Sequence, residues 1–135
     1  MKKIKLAVVG CLGRMGKEII KEINISPNCE LVSAIEAKKT TIKRISKIEI
    51  SYDKKFAFSK ADIIIDFSTP KSSLESVFYA LKLKKKLIIG TTGLNNLQIK
   101  KIKQASKKIS IVFAPNMSIG INLLLLLAEQ ASKIF

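Results

Sequence analysis

Apolar runs of strand length alternate along the chain with stretches of helical period. Ile4 to Val9 is nearly continuous in apolar residues, as expected of a strand buried on both faces. Arg14 to Ile25 then sets Met15, Ile19, Ile20 and Ile23 on one side of a helix. Pro27-Asn28 makes a turn, and Glu30 to Ile35 reads as a second strand. Residues 38–47 are polar, basic and unpatterned, which predicts an exposed loop, and Ile48 to Tyr52 reads as a short strand. Ile63-Ile64-Ile65 predicts a central strand ending at Asp66-Phe67, followed by a helix opened by Thr69-Pro70. Ser72 with Glu75 offers an alternative capping box for that helix. Lys86 to Ile89 is a further strand, stopped by Gly90-Thr91-Thr92-Gly93. Asn95 with Gln98 marks a helix running to about Lys107, Ile109 to Phe113 is the last strand, and a helix spans about 118–134.

Strand and helix alternate throughout, so the fold class is α/β: a doubly wound parallel sheet with right-handed crossovers, a Rossmann-like dinucleotide-binding domain over residues 1–135. In such a sheet the ligand lies at the carboxyl ends of the strands. Every segment with chemical character lies just after a strand: residues 10–16, Glu36, Asp66 to Pro70, residues 90–93 and Ala114 to Asn122. That placement points to one site.

Gly10-Cys11-Leu12-Gly13-Arg14-Met15-Gly16 has the form G-x-x-G-x-x-G between the first strand and the first helix. Gly10 permits a tight turn, Gly13 lets backbone N–H groups approach a pyrophosphate, and Gly16 lets the helix pack close to the strand. Glu36 closes the second strand about 20 residues on, where such a fingerprint places an acid that accepts from ribose hydroxyls. Lys38 and Lys39 follow and could meet a 2′-phosphate, so NADH and NADPH both stay open as cofactors. Ser68 or Thr69 caps the helix after the central strand, and Asp66 to Pro70 would wall the cofactor.

Composition narrows the chemistry. The 135 residues include no His, which removes imidazole bases and His-ligated metals, and no metal site is expected. Cys11 and Cys29 fit no metal spacing and read as reduced thiols in a cytoplasmic setting. The formal charge is +15, but 23 of the 25 basic residues are lysines spread along the chain. A solvated lysine coat is expected, with no nucleic-acid partner; a basic nucleic-acid-binding domain is the rival reading. No signal peptide is visible after Met1-Lys2-Lys3. The longest apolar stretch, around Ile121 to Ala128, falls short of the roughly 18 residues a membrane span needs, so no membrane partner is expected.

Together the segments at residues 10–16, 66–70, 90–93 and 114–122 resemble, in order and spacing, the N-terminal domain of the dihydrodipicolinate reductases (4-hydroxy-tetrahydrodipicolinate reductases) of the diaminopimelate route to lysine. The resemblance implies cofactor contacts from Gly10, Cys11, Leu12, Gly13, Arg14, Met15, Glu36, Gly90, Thr91, Thr92, Ala114, Pro115, Asn116 and Met117. It implies reduction of a small-molecule substrate, 4-hydroxy-tetrahydrodipicolinate, by hydride from NADH or NADPH, in a cytoplasmic homotetramer. Leu12 is bulkier than the small residue often found in this loop, and Ala37 replaces a basic residue some members carry. The family's substrate domain, with a His-His-x-x-x-Lys segment and a Ser-Gly-Thr anion site, has no counterpart before Phe135, nor does the later return that completes the sheet. No catalytic residue is therefore expected in this chain, and alone it is expected to be inactive as a reductase. A binding-only dinucleotide module, or a decayed fragment, is the alternative. The last helix is apolar on most of its circumference, as expected of a helix buried on several sides and leading toward a further domain.

Overall fold

The structure, a computed structural model, describes residues 2–134. Seven strands form one sheet: β1 (Ile4–Val9), β2 (Cys29–Ile35), β3 (Arg44–Ile45), β4 (Ile48–Ser51), β5 (Ile63–Asp66), β6 (Lys86–Ile89) and β7 (Ile111–Phe113). Five helices accompany them: α1 (Arg14–Ile25), α2 (Lys54–Ser59), α3 (Pro70–Leu83), α4 (Asn96–Ala105) and α5 (Ile119–Ile134). The strand order is β3-β4-β2-β1-β5-β6-β7, and every pairing is parallel except the antiparallel β3–β4. The chain winds outward from β1 through β2 to β4, and on the other side through β5 and β6 to β7. The reversal of direction at β1 opens a crevice at the strands' carboxyl ends.

Side-chain alternation explains the apolar run of β1. Leu6 and Val8 join Ala34 and Ile50 beneath Ile20 and Ile23 of α1. Ala7 and Val9 join Ile64, Leu87 and Ile89 beneath Phe58 of α2, Val77 and Ala80 of α3, and Ile102 of α4. With helices on both faces, neither face of β1 can be polar.

Several expectations shift. The expected loop over 38–47 contains β3, which pairs in a hairpin with β4, the strand expected from Ile48, through a turn at Ser46 (φ 48°) and Lys47 (φ 67°); two left-handed residues match the twist of the strands. The short helix α2 lies in a stretch the sequence left unassigned, with Asp53 Oδ1 capping it by accepting from Phe56 N at 3.1 Å. β2 starts one residue early, β7 starts at Ile111, and α4 stops at Ala105. Thr69 caps α3, accepting from Ser72 N at 3.3 Å, so the alternative capping box at Ser72 and Glu75 does not form. Both of those side chains instead bind Lys54. Met15 does not join the core face of α1: it is half exposed at the sheet's rim, because the first turn projects past the strands. In α5, described through Lys133 for its side chains, every residue is exposed, so the burial expected from its apolar circumference is not supplied by the described residues. Among the described residues no helix is long and apolar enough to cross a membrane, and no group of His, Cys, Asp and Glu could hold a metal ion.

Candidate functional site

The loops leaving β1, β5, β6 and β7 meet at one rim of the sheet. They enclose a cleft of about 690 Å³ lined by Gly13, Arg14 and Met15 after β1, and by Phe67 and Ser68 after β5. Gly90, Thr91 and Thr92 after β6 and Pro115 to Ser118 after β7 complete the lining. Gly13, Arg14, Met15, Gly90, Thr91, Thr92, Pro115, Asn116 and Met117 are thus brought together. Gly10 and Cys11 are buried beneath the loop, and Leu12, Glu36 and Ala114 lie beside the cleft without lining it. Phe67 and Ser68, which also line it, belong to the Asp66 to Pro70 segment that follows the central strand, though they are not among the contacts the resemblance implies.

The glycine loop is built by exclusion. Gly10 has φ 75°, and a Cβ there would drive into the Phe67 carbonyl oxygen. At Gly16 a Cβ would strike the Gly10 carbonyl oxygen and sit 2.9 Å from Cys11 Cα, so only glycine lets α1 dock this closely. Gly13, the N-cap of α1, faces open space apart from the Gly10 carbonyl oxygen at 3.3 Å. Where α2, α3 and α4 each carry a side-chain cap, α1 has none and no acidic residue in its first turn. Its leading N–H groups, with Arg14 beside them, are free to take an anion such as a pyrophosphate. A Cβ on Gly90 would enter the Phe67 ring, so the β6 loop packs flush against the β5 loop.

Glu36 holds the loop from the other side. Its Oε1 accepts from Leu12 N at 2.8 Å, so the carboxylate braces the glycine turn. Burial, with the same carboxylate adding to it, pushes the Cys11 thiol up to about 12. Beyond Glu36 lies a second cavity of about 650 Å³, reaching Ala37, Tyr52, Asp53, Lys54 and Glu75.

Beneath the cleft, Asp66 is fully buried, and its Oδ1 accepts from Ser68 Oγ, from Ser73 Oγ at 3.2 Å and from Thr91 Oγ1 at 3.3 Å. Thr91 Oγ1 also accepts from Ser73 Oγ at 2.8 Å and from Ser68 N at 3.0 Å. Its hydroxyl is therefore engaged inside the protein, whereas Thr92 is exposed to the cleft. One buried carboxylate ties the β5 loop, the first turn of α3 and the β6 loop together. Asp66 Oδ2 has no hydrogen-bond partner among the described residues. On the β7 loop, Asn116 Oδ1 accepts from Ser118 N at 3.0 Å, and its carbonyl accepts from Asn122 Nδ2 at 3.3 Å.

Residues 4–117 match the family described as dihydrodipicolinate reductase, N-terminus. The chain belongs to the dihydrodipicolinate reductase family. It is 45% identical over 133 residues to the 4-hydroxy-tetrahydrodipicolinate reductase of Pelagibacter ubique (strain HTCC1062), covering 98% of this chain and 51% of that protein. It is 42% identical over 143 residues to the namesake enzyme of Buchnera aphidicola subsp. Cinara cedri (strain Cc), covering 98% and 52%. A solved dihydrodipicolinate reductase from Paenisporosarcina sp. TG-14, with dipicolinate bound, shares the fold at a TM-score of 0.80 and 24% identity, over 96% of this chain and 54% of that one. The chain spans about half the length of the curated reductases it matches. Dihydrodipicolinate reductases are oxidoreductases that use a nicotinamide dinucleotide.

Proposed function

We propose that this chain is the cofactor-holding half of a 4-hydroxy-tetrahydrodipicolinate reductase, taking NADH or NADPH in the rim cleft and acting over residues 1–135 as one dinucleotide-binding domain. The convergence of the loops at Gly13, Phe67, Thr91 and Asn116 on a single cleft carries this reading. When bound, the dihydronicotinamide would supply a hydride to the ring carbon from which the substrate's 4-hydroxyl departs as water, giving tetrahydrodipicolinate and the oxidised dinucleotide. The uncapped N-terminus of α1 would receive the pyrophosphate, with Gly13 leaving room for it. Glu36 would accept from the adenosine ribose while keeping its bond to Leu12 N. Gly90, Thr91 and Thr92, with Ala114 to Met117, would border the nicotinamide end and exclude water from one of its faces.

Among the described residues Arg14 is the only charged one lining the cleft, and they offer no general acid there. The proton and the substrate's carboxylates would be handled by the other half of the reductase, in a cytoplasmic homotetramer acting on this small molecule. Lysines scattered over many elements, in place of one basic face, support a protein without nucleic-acid or membrane partners. Titration of the purified chain with NADH, followed by nicotinamide fluorescence, should saturate, and Gly13→Asp should abolish the signal. Turnover with freshly made substrate should be absent for this chain alone. A flat titration, or DNA binding that falls with salt and ignores Gly13→Asp, would refute the reading.

A further inference from the structure

Between Glu75 and Glu129 the chain holds nine lysines and no acid, and the fold gathers six of those lysines around one groove. Two adjoining cavities, of about 420 Å³ and about 830 Å³, form it. The first lies between α3 and α4, and the second continues to the amino rim of the sheet, where β6 and β7 begin. Phe78, Leu81 and Lys108 line both, which makes the groove continuous. Its lower end is at the opposite rim of the sheet from Gly13 and Thr91, so the cofactor reading makes no use of it.

The floor of the groove is apolar. Val77 and Ala105 are buried there, Leu81 and Ile109 are half-buried, and Phe78 stands where the cavities meet, 58% exposed. The rim is made of Lys82, Lys84, Lys85, Lys86, Lys101 and Lys108. Among the described residues none of these six forms a salt bridge, and their ammonium groups make one hydrogen bond, from Lys85 Nζ to the Ser59 carbonyl at 3.3 Å. No acid lines the groove. The acids closest in sequence to its walls are engaged elsewhere: Glu75 takes Lys54, and Asp62, just before β5, accepts from Lys5 N. Six like charges around one apolar floor repel each other, and a partner that is both anionic and apolar relieves the repulsion while covering the floor.

The shape selects among anionic partners. A surface that enters a bilayer needs protruding apolar side chains, whereas Val77, Leu81, Ala105 and Ile109 are recessed. A nucleic-acid backbone needs no apolar floor, and no arginine is present for it. An amphipathic helix matches both features: Leu or Phe at positions i, i+3, i+4 and i+7 would rest on Phe78 and Leu81, with flanking carboxylates against the lysines.

We propose that the groove between α3 and α4 is a docking site for an acidic amphipathic helix of a partner protein. The test uses the full chain and a fluorescein-labelled peptide of about 18 residues, with Leu at i, i+3, i+4 and i+7 and Glu elsewhere, long enough to form a helix. Anisotropy titrations at 0.15 M salt compare it with a scramble of the same composition, which has the same charge and no stripe. Wild type should bind the striped peptide at least about tenfold more tightly than the scramble. Lys101→Glu/Lys108→Glu and Phe78→Ser should each weaken it at least about tenfold. Lys17→Glu/Lys21→Glu on α1, across the sheet, changes the net charge equally and should leave binding within about twofold. Circular dichroism of each variant reports its fold, and the exposed lysine pair carries the test if Phe78→Ser does not fold. Equal affinity for stripe and scramble, or no binding of either, overturns the proposal. So does an equal loss in the α1 variant, which would reduce the effect to overall charge. Tighter binding of poly-uridine RNA or of phosphatidylglycerol vesicles, lost in Lys101→Glu/Lys108→Glu, would reassign the groove to that partner and overturn it as well.

Discussion

Gly13 and Gly16 lie three residues apart in one loop, yet substitutions at the two should give opposite signatures. At Gly16 an alanine Cβ meets backbone, with Gly10 C and Cys11 Cα both at 2.9 Å and the Gly10 oxygen closer still. Backbone cannot rotate aside, so α1 must lift from β1, at about 3 kcal/mol for overpacking. Alanine's better helix propensity returns at most about 1 kcal/mol. The net loss is about 2 kcal/mol, and a 135-residue chain has an unfolding entropy of about 0.28 kcal/mol/K, so Tm should fall by about 7 °C. Gly13→Asp should behave otherwise. Gly13 has φ −68° and ψ 167°, the extended geometry of an N-cap, and a Cβ there meets one backbone atom closely, the Gly10 carbonyl oxygen at 3.3 Å. Aspartate is a favoured N-cap, better than glycine by about a few tenths of a kcal/mol, which offsets that single contact, so Tm should hold. Its carboxylate would nonetheless occupy the anion position and abolish dinucleotide binding. Thermal unfolding by circular dichroism, paired with NADH titration, reads both quantities. A Gly16→Ala protein of higher Tm, or a Gly13→Asp protein that still binds NADH, would refute the division of labour drawn from the loop's contacts.

Other expectations concern the buried polar groups. Thr91→Val removes the hydroxyl shared by Asp66, Ser68 and Ser73, and should destabilise by about 1–3 kcal/mol in denaturant unfolding. Combined with Ser73→Ala it should be non-additive by more than about 0.5 kcal/mol, and strict additivity would show that the hydroxyls act independently. Burial holds the Lys54 ammonium below its ordinary pKa of 10.5, against the opposing pull of Asp66 and Glu75. The unfolded chain then keeps the proton to higher pH than the folded one, so wild type should gain stability relative to Lys54→Met as pH rises toward 10.5. A difference that is flat with pH would contradict this. Cys11, buried and with its thiol pushed up to about 12, should resist alkylation at pH 8 in the native protein, leaving Cys29 as the labelled site. Equal labelling of both by peptide mass spectrometry would count against the packing of the loop.

The strands at Ile4 to Val9 and Ile63 to Ile65 were legible because helices cover both faces and the resulting runs have no polar gaps. The glycine loop was legible because each glycine answers a separate steric demand at Phe67, Gly10 or the open side of α1. The β3–β4 hairpin was hidden because its left-handed turn is made by Ser46 and Lys47, neither a usual residue for positive φ. Helix α2 spans six residues, too few to display a period, and its buried face holds Ala57 and Phe58 beside Lys54. Lys54 read as one more surface lysine; only the arrival of Ser72 and Glu75 from α3 makes it a buried donor. The Glu36 bond to Leu12 and the Asp66 hydroxyl cluster were equally invisible, since their partners are brought close only by the parallel crossovers. For α5 the periodicity described the side chains correctly, while the surfaces that would cover them are not part of this chain's described residues.

The position of β1 at the centre of the sheet also shapes how the protein comes into being. Its partner on one side is β2, but on the other it is β5, and Lys5 N reaches the Asp62 carboxylate across a separation of 57 residues. Translation at about 5–20 residues per second leaves that edge of β1 without its native neighbour for roughly 3–11 s. During that interval Ala7 and Val9, which end fully buried beside Ile64, Leu87 and Ile89, lack those native neighbours and are shielded by non-native contacts or by a chaperone at the ribosome.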